Sequence, residues 1–406
     1  IFYIFTPRIF GDSFHNNKDI LFLSILTIAL FYLFKVLEKM STKNIILFCL
    51  FSAIASSSRI MGVYLPVLLI IFLFLEYLKQ EIFLYYFFKK TAVILFFYIF
   101  FLYLHFPYMW ELNILKITDW FSVYFYNMEL NILYNGAYYH IKYLPRLYLP
   151  LWISITTPLF ILLLFIGGYI LILKRFFQRI LNITLTKKPF NDFWTSLNEK
   201  KDLFFFFSLT SFFIYAIFLN VSMLSGWRHF YFLHVFIIYI AAYMINIILN
   251  FCKRKKINIL YFLCINLIFI LMILFQINKF HPYQSLYFNS LINLENIKNF
   301  PIDTSSLSRS DALKYIVNSN KNKDKIYVAN ASWTPLYNGK DLLKGIDQKK
   351  LIFVGQDYNK ADYIYTNFYY EVDPKLNKKY NIPENFKKVK KLKINDITIY
   401  SIYKRF

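Results

Sequence analysis

Residues 6–19 read Thr6-Pro7-Arg8-Ile9-Phe10-Gly11-Asp12-Ser13-Phe14-His15-Asn16-Asn17-Lys18-Asp19, between an apolar run that ends near Phe5 and another that starts at Ile20. Two carboxylates, an imidazole, a lysine, an arginine and two amides thus crowd into one short connector between apolar segments. One reading leaves it a solvated loop at a bilayer surface, with Arg8 and Lys18 as head-group anchors. The other makes it one wall of a site. Which holds depends on what other polar chemistry reaches the same side of the membrane.

Outward from this stretch, apolar runs dominate. Hydrophobic residues make up 58% of the 406, with 48 Phe and 35 Tyr, so the first two thirds of the chain cannot be a soluble domain. A membrane span needs roughly 17–25 apolar residues. On that criterion spans fall at about 20–37, 45–57, 61–78, 91–106, 150–173, 203–222, 229–250 and 257–276. The Ser56-Ser57-Ser58-Arg59 junction separates the second from the third, because an arginine at the midpoint of one helix would cost at least about 2.5 kcal/mol. Ile1 to Phe5 reads as the tail of a helix that begins upstream.

The expected fold is therefore an all-α polytopic membrane bundle of about eight spans over residues 1–276, followed by a small extracytoplasmic α/β domain over 277–406. In the connector 107–149, apolar residues recur at helical spacing among Trp110, Glu111, Asp119, Trp120 and Glu129. That spacing predicts one or two interfacial helices, acting as a lipid-surface anchor or as a lid over a lipid-substrate site. Beyond His281 the pattern predicts a helix near 309–319 and strands near 325–329, 351–354, 361–366 and 396–403. No catalytic signature stands out there, so accessory binding or shielding is its expected role.

Charge sets orientation rather than a nucleic-acid partner. The net +23 is spread over loops and the C-terminal region, a poor fit to a nucleic-acid footprint. Alternating loops place Lys39 and Lys43, Lys79 with Lys89 and Lys90, the basic residues from Lys174 to Lys201 (Lys187 and Lys188 among them), and Lys253 to Lys256 on one side. By the positive-inside rule that side is cytoplasmic. The opening stretch, Arg59, the 107–149 connector, the turn Ser225-Gly226-Trp227-Arg228-His229 and the C-terminal region then all face outward, in a bacterial inner membrane. Cys49, Cys252 and Cys264 have no metal-ligand spacing and read as packing residues.

Four polar clusters share the outer side: Asp12, His15, Lys18 and Asp19; Arg59; Glu111 with His105; and Arg228 with His229 and His234. Trp227-Arg228-His229 begins the expected seventh helix, where guanidinium, imidazole and free backbone N–H groups could hold a phosphate. Carboxylates opposite them suit a reaction in which phosphate leaves and a hydroxyl attacks, as general base or as ligands of a divalent ion. Asp19 and His15 are the candidate metal ligands, and no organic cofactor is evident.

The stretch Pro7–Asp19, together with Trp152–Pro158, Gly226-Trp227-Arg228-His229-Phe230-Tyr231-Phe232 and Pro282-Tyr283-Gln284-Ser285-Leu286-Tyr287-Phe288-Asn289, resembles bacterial GT-C glycosyltransferases of the dolichyl-phosphate-mannose–protein mannosyltransferase and aminoarabinose-transferase type. The resemblance implies transfer of a sugar, with inversion, from a polyprenyl-phosphate donor to a protein or lipid acceptor outside the cytoplasmic membrane. It matches Asp19 to an acidic residue after the second outer connector, and Arg228 to the arginine of a late Arg-aromatic motif that contacts donor phosphate. Asp12 and His15 are supporting catalytic candidates; His229, Lys18 and Arg59 are further candidates for the phosphate. The family's first-loop catalytic acid would lie upstream of Ile1. The alternative from another class is a lipid or sugar transporter or flippase without transferase activity. Transporters place charges near the bilayer midplane, often in two related halves, whereas these spans are almost free of charge and show no internal repeat.

Overall fold

The computed structural model describes residues 1–111, 114–122, 130–186, 193–219, 221–224 and 226–406. Glu129, Lys187, Lys188 and Ser225, used in the sequence reading, lie outside the described residues. In chain order the helices are α1 (Pro7–Asp12), α2 (Asn17–Glu38), α3 (Thr42–Ser58), α4 (Tyr64–Leu78), α5 (Leu84–His105), α6 (Ile114–Ser122), α7 (Tyr148–Thr156), α8 (Leu159–Thr186), α9 (Leu197–Phe218), α10 (Leu233–Arg254), α11 (Ile259–Lys279), α12 (Leu294–Ile297), α13 (Ser308–Asn318) and α14 (Gly345–Lys350). The strands are β1 (Asn131–Tyr134), β2 (Ala137–His140), β3 (Ile326–Asn330), β4 (Leu351–Phe353), β5 (Tyr363–Thr366), β6 (Phe386–Ile394) and β7 (Ile397–Arg405).

Among the described residues, seven helical segments are long and apolar enough to cross a membrane: Asn17–Glu38, Ile60–Leu78, Leu84–His105, Leu159–Leu181, Leu197–Phe218, Leu233–Arg254 and Ile259–Lys279. The chain is a multi-pass helical membrane protein with a small C-terminal sheet region. The second expected span, 45–57, is α3, which is apolar but only 17 residues long. The span expected at 150–173 is two helices, because Thr157, preceding Pro158, is extended (φ −88°, ψ 136°) and a residue before proline avoids the helical region. At the other expected break, Arg59 is extended (φ −151°, ψ 133°) and a 3-10 turn, Ile60–Val63, leads into α4. Gly62 lies so close to the end of α3 that a Cβ there would meet the Ser56 nitrogen at 2.4 Å. Only glycine permits this reversal.

The chain forms two compact units, Ile1–Tyr126 with Pro158–Leu219 and Arg228–Leu274, and Asn127–Thr157 with Asn220–Trp227 and Phe275–Phe406. Where the sequence reading drew one boundary after residue 276, the second unit also takes in two segments from between the helices. In the first unit α2 packs on α3, α3 on α5, and α8 and α9 on α10. Gly168 of α8 is the close-approach point, since a Cβ there would lie 2.4 Å from the Ile240 carbonyl oxygen of α10; small residues allow such backbone contact between membrane helices. Tyr98 of α5 donates to Ser56 Oγ of α3 at 2.8 Å. Phe232, just before α10, wedges between Phe22 of α2 and Phe212 of α9, at ring-centroid distances of 5.4 and 4.8 Å.

In the second unit the order of the five-stranded sheet is β4-β3-β5-β7-β6, with β3 parallel to β4 and β5, and β7 antiparallel to β5 and β6. Helix α13 buries Ala312, Leu313 and Ile316 in one core with Ile326, Val328, Tyr365 and Ile402. Strand β6 was not expected. Within 107–149 one helix of more than a single turn is described, α6, and the helical expectation fails at residues 131–140, where β1 and β2 pair antiparallel. Asn135 (φ 50°) and Gly136 (φ 85°) form their two-residue turn, the left-handed pair such hairpins require.

Candidate functional site

The site is built at the end of the first unit where α2, α4 and α10 start. Asn16 caps α2: its Oδ1 accepts from the Asp19 backbone N–H at 3.2 Å while its Nδ2 donates to Asp19 Oδ2 at 2.8 Å. The exchange resembles a capping box, and it fixes a carboxylate in the first turn, where the helix dipole favours negative charge. Asp19 is buried, and its Oδ1 takes an ion pair from Arg59, whose position follows from the Gly62 reversal. Asp19 therefore stands where the sequence put it, but both oxygens are engaged. Arg59 commits its charge first to Asp19 rather than to a ligand.

A second carboxylate lies seven residues earlier in the connector. Asp12 ends α1 and is 4% exposed. Its Oδ2 accepts from the Tyr231 hydroxyl at 2.5 Å. Its Oδ1 lies 3.0 Å from His15 Nε2, without the alignment of a full hydrogen bond. Burial, and then the Asp12 charge, raise the Tyr231 pKa well above that of an ordinary phenol, with Arg8 nearby acting in opposition. Tyr231 thus keeps its proton and donates it. Arg8 is buried and contributes its charge to this group, which corrects its assignment as a head-group anchor. Sequence reasoning passed over Tyr231, which meets Asp12 across 219 positions.

The cation of the site is Arg228. The expected helix start at Trp227 is corrected: Arg228–Phe230 form a 3-10 turn and α10 begins at Leu233, so the free N–H groups of that helix start are not at Arg228. The Arg228 side chain is half-buried, its Nε is buried without a hydrogen-bond partner, and among the described residues it forms no ion pair. His229 beside it has its pKa lowered to about 3, by burial first and then by the charges of Arg228 and Arg59. It enters the site as a neutral imidazole. The same neighbours place Arg59, Arg228 and His229 in one electrostatic group.

Other candidates go elsewhere. Lys18 is exposed on the first turn of α2 and makes no ion pair among the described residues. Glu111 is exposed and pairs with Lys116 at 2.6 Å. His234 is a core residue of α10, stacked on Tyr3 at 5.6 Å, with Nε2 3.2 Å from the Tyr3 carbonyl oxygen. As metal ligands Asp19 and His15 fit poorly, since an arginine already holds Asp19 and His15 turns to Asp12; no group of three potential metal ligands occurs among the described residues. The other motif segments meet in the second unit, where Trp227 Nε1 donates to Thr156 Oγ1 at 2.9 Å and Asn289 Nδ2 donates to the Ser154 and Thr157 carbonyls at 2.6 Å each. Their role there is to pin α7.

At the opposite end of the first unit the carboxylates are all paired among the described residues. Lys200 pairs with Glu76, Lys201 with Glu38 at 2.5 Å, Arg175 with Asp202 at 3.0 Å and Arg179 with Glu199 at 3.1 Å. No family model, curated protein or solved structure matches the chain.

Proposed function

We propose that the protein is an integral-membrane glycosyltransferase that moves a sugar from a polyprenyl-phosphate donor to a hydroxyl acceptor on the outer face of a bacterial cytoplasmic membrane. The observation that carries this reading is Arg228, a half-buried guanidinium with no carboxylate partner among the described residues, in one unit with two buried carboxylates. An arginine without a counter-ion beside a neutral histidine suits a phosphate, which it can grip in a bidentate manner. The concentration of basic residues at the opposite end of the bundle supports the outward orientation.

In this mechanism the acceptor oxygen attacks the anomeric carbon, the bond from that carbon to the phosphate oxygen breaks with inversion, and the lipid phosphate leaves as the anion. Arg228, aided by the His229 N–H, takes the charge that develops on the phosphate. The acceptor's proton passes to His15, which faces Asp12, and Tyr231 in turn holds Asp12 in place. Asp19 keeps Arg59 turned toward the phosphate side, so its role is positioning.

The test uses full-length protein in liposomes with a polyprenyl-phosphate donor carrying a labelled sugar. Arg228→Ala, His15→Ala and Asp19→Asn are expected to abolish transfer while leaving insertion and expression intact. Full activity in all three, or movement of the labelled lipid across the vesicle without its consumption, would replace this reading with the transporter one.

A further inference from the structure

The second unit contains a cavity of about 520 Å³ between the β1–β2 hairpin, α12 and the β6–β7 hairpin, a volume typical of small-molecule sites. Its apolar wall includes Leu133, Ile297, Phe300 and Phe368, and its basic residues are Lys298, Lys388 and Lys391. The two lysines of β6 are three positions apart, so in a regular strand they would point to opposite faces. Here the register shifts between Lys388, paired with Tyr403, and Lys390, paired with Ile402, so that Lys391 pairs with Ser401. The extra residue returns both lysines to one face. Bulges recur where a side chain must be re-aimed, and lysines that only protect an edge strand would not need one.

Two further observations mark this cavity. Ser401, one of its lining residues, is fully buried, and its hydroxyl makes no hydrogen bond among the described residues. Phe368 has φ +60°, a left-handed backbone that a phenylalanine adopts only when its surroundings impose it, as they do at ligand clamps. Among the described residues Lys298, Lys388 and Lys391 form no ion pair with Glu295 or Asp396, which also line the cavity; Lys388 lies over the Tyr403 ring at 5.5 Å, which leaves its charge without a counter-ion. Three cations against two carboxylates favour an anion.

We infer that this cavity binds an anionic amphiphile, its chain against Leu133, Phe300 and Phe368 and its carboxylate or phosphate head on Lys388 and Lys391. To test this, full-length protein in phosphatidylcholine nanodiscs is irradiated with a diazirine-bearing palmitate analogue, and the labelled peptides are identified by mass spectrometry. Label is expected within 130–134, 294–302 and around Phe368, displaced by palmitate if the site prefers a carboxylate and by hexadecyl phosphate if it prefers a phosphate. The double variant Lys388→Glu/Lys391→Glu, at exposed positions that leave the fold intact, is expected to cut this labelling about tenfold. Lys387→Glu/Lys393→Glu, on the same strand but outside the cavity lining, is expected to keep it. Displacement by neither competitor, equal labelling in both double variants, or label confined to the membrane helices would overturn the inference.

Discussion

The two ends of the membrane unit hold similar side chains and use them in opposite ways. At one end four carboxylates, Glu38, Glu76, Glu199 and Asp202, each hold a lysine or arginine from a neighbouring helix. There the charges tie α2, α4, α8 and α9 together, and Tyr239 of α10 joins through Asp202 at 3.0 Å. At the other end Asp19 is paired with Arg59, Asp12 is shared between a tyrosine and a histidine, and Arg228 is left without a carboxylate. Carboxylate–cation pairs that link neighbouring helices serve the packing of the bundle, and their charges are already spent on each other. A half-buried guanidinium without a carboxylate partner keeps its charge available for a ligand, which is why the second end is the candidate site.

The sharpest way to break this contrast is to remove a cation from each end. Arg228→Ala should lower sugar transfer by about 10²–10³-fold, the usual loss for one transition-state donor, with little change in thermal stability, as measured on the same liposome preparations. Lys200→Ala should do the reverse. It leaves the half-buried Glu76 carboxylate uncompensated, a cost of about 1–3 kcal/mol, while activity per folded molecule is unchanged. Combining it with Glu76→Leu should recover most of that loss in a thermal melt. A variant at Lys200 that is stable but inactive would show that the two ends are not separate in function.

A smaller effect is expected at Tyr231→Phe. The Asp12 carboxylate loses a buried partner, at about 1–3 kcal/mol, and transfer per folded molecule should fall as His15 loses its fixed neighbour. A lower melting temperature with unchanged transfer per folded molecule would reduce Tyr231 to a packing residue. Smaller still is the His229 effect on acid stability. Its folded pKa of about 3 lies below the ordinary 6.5, so between these values the unfolded chain binds more protons. The resulting contribution is complete above pH 6.5 and fades as the pH falls toward 3. His229→Gln should flatten that part of the melting-temperature curve, and a bound phosphate should raise the His229 pKa in the wild type.

Much of the membrane unit was legible because its signals are local. Apolar length marks the spans, and the cost of an intramembrane arginine marks the break at Arg59. The 131–140 hairpin carried an equally local signal, Asn135-Gly136 between apolar strands, but the helical spacing of its aromatic residues obscured it. Strand β6 was hidden by its lysines, which are poor strand formers tolerated at a sheet edge, although Asn395 and Asp396, at φ 49° and 60°, supply its turn. The site divides in the same way. The density of polar groups in residues 6–19 was visible, and so was Arg228. The hydrogen bond from Tyr231 to Asp12, the burial of Arg8 and the pairing of Asp19 with Arg59 depend on which helices pack together, and no spacing in the chain encodes that.

The central claim is that Arg228 waits for a phosphate. Its most direct test is the affinity of undecaprenyl phosphate for full-length protein in nanodiscs, compared between wild type and Arg228→Ala by titration at pH 7. The account predicts binding weakened by about tenfold or more in the variant, the loss of one charge-assisted contact, with no change in the melting temperature of the unliganded protein. Equal affinity in the two proteins would contradict it.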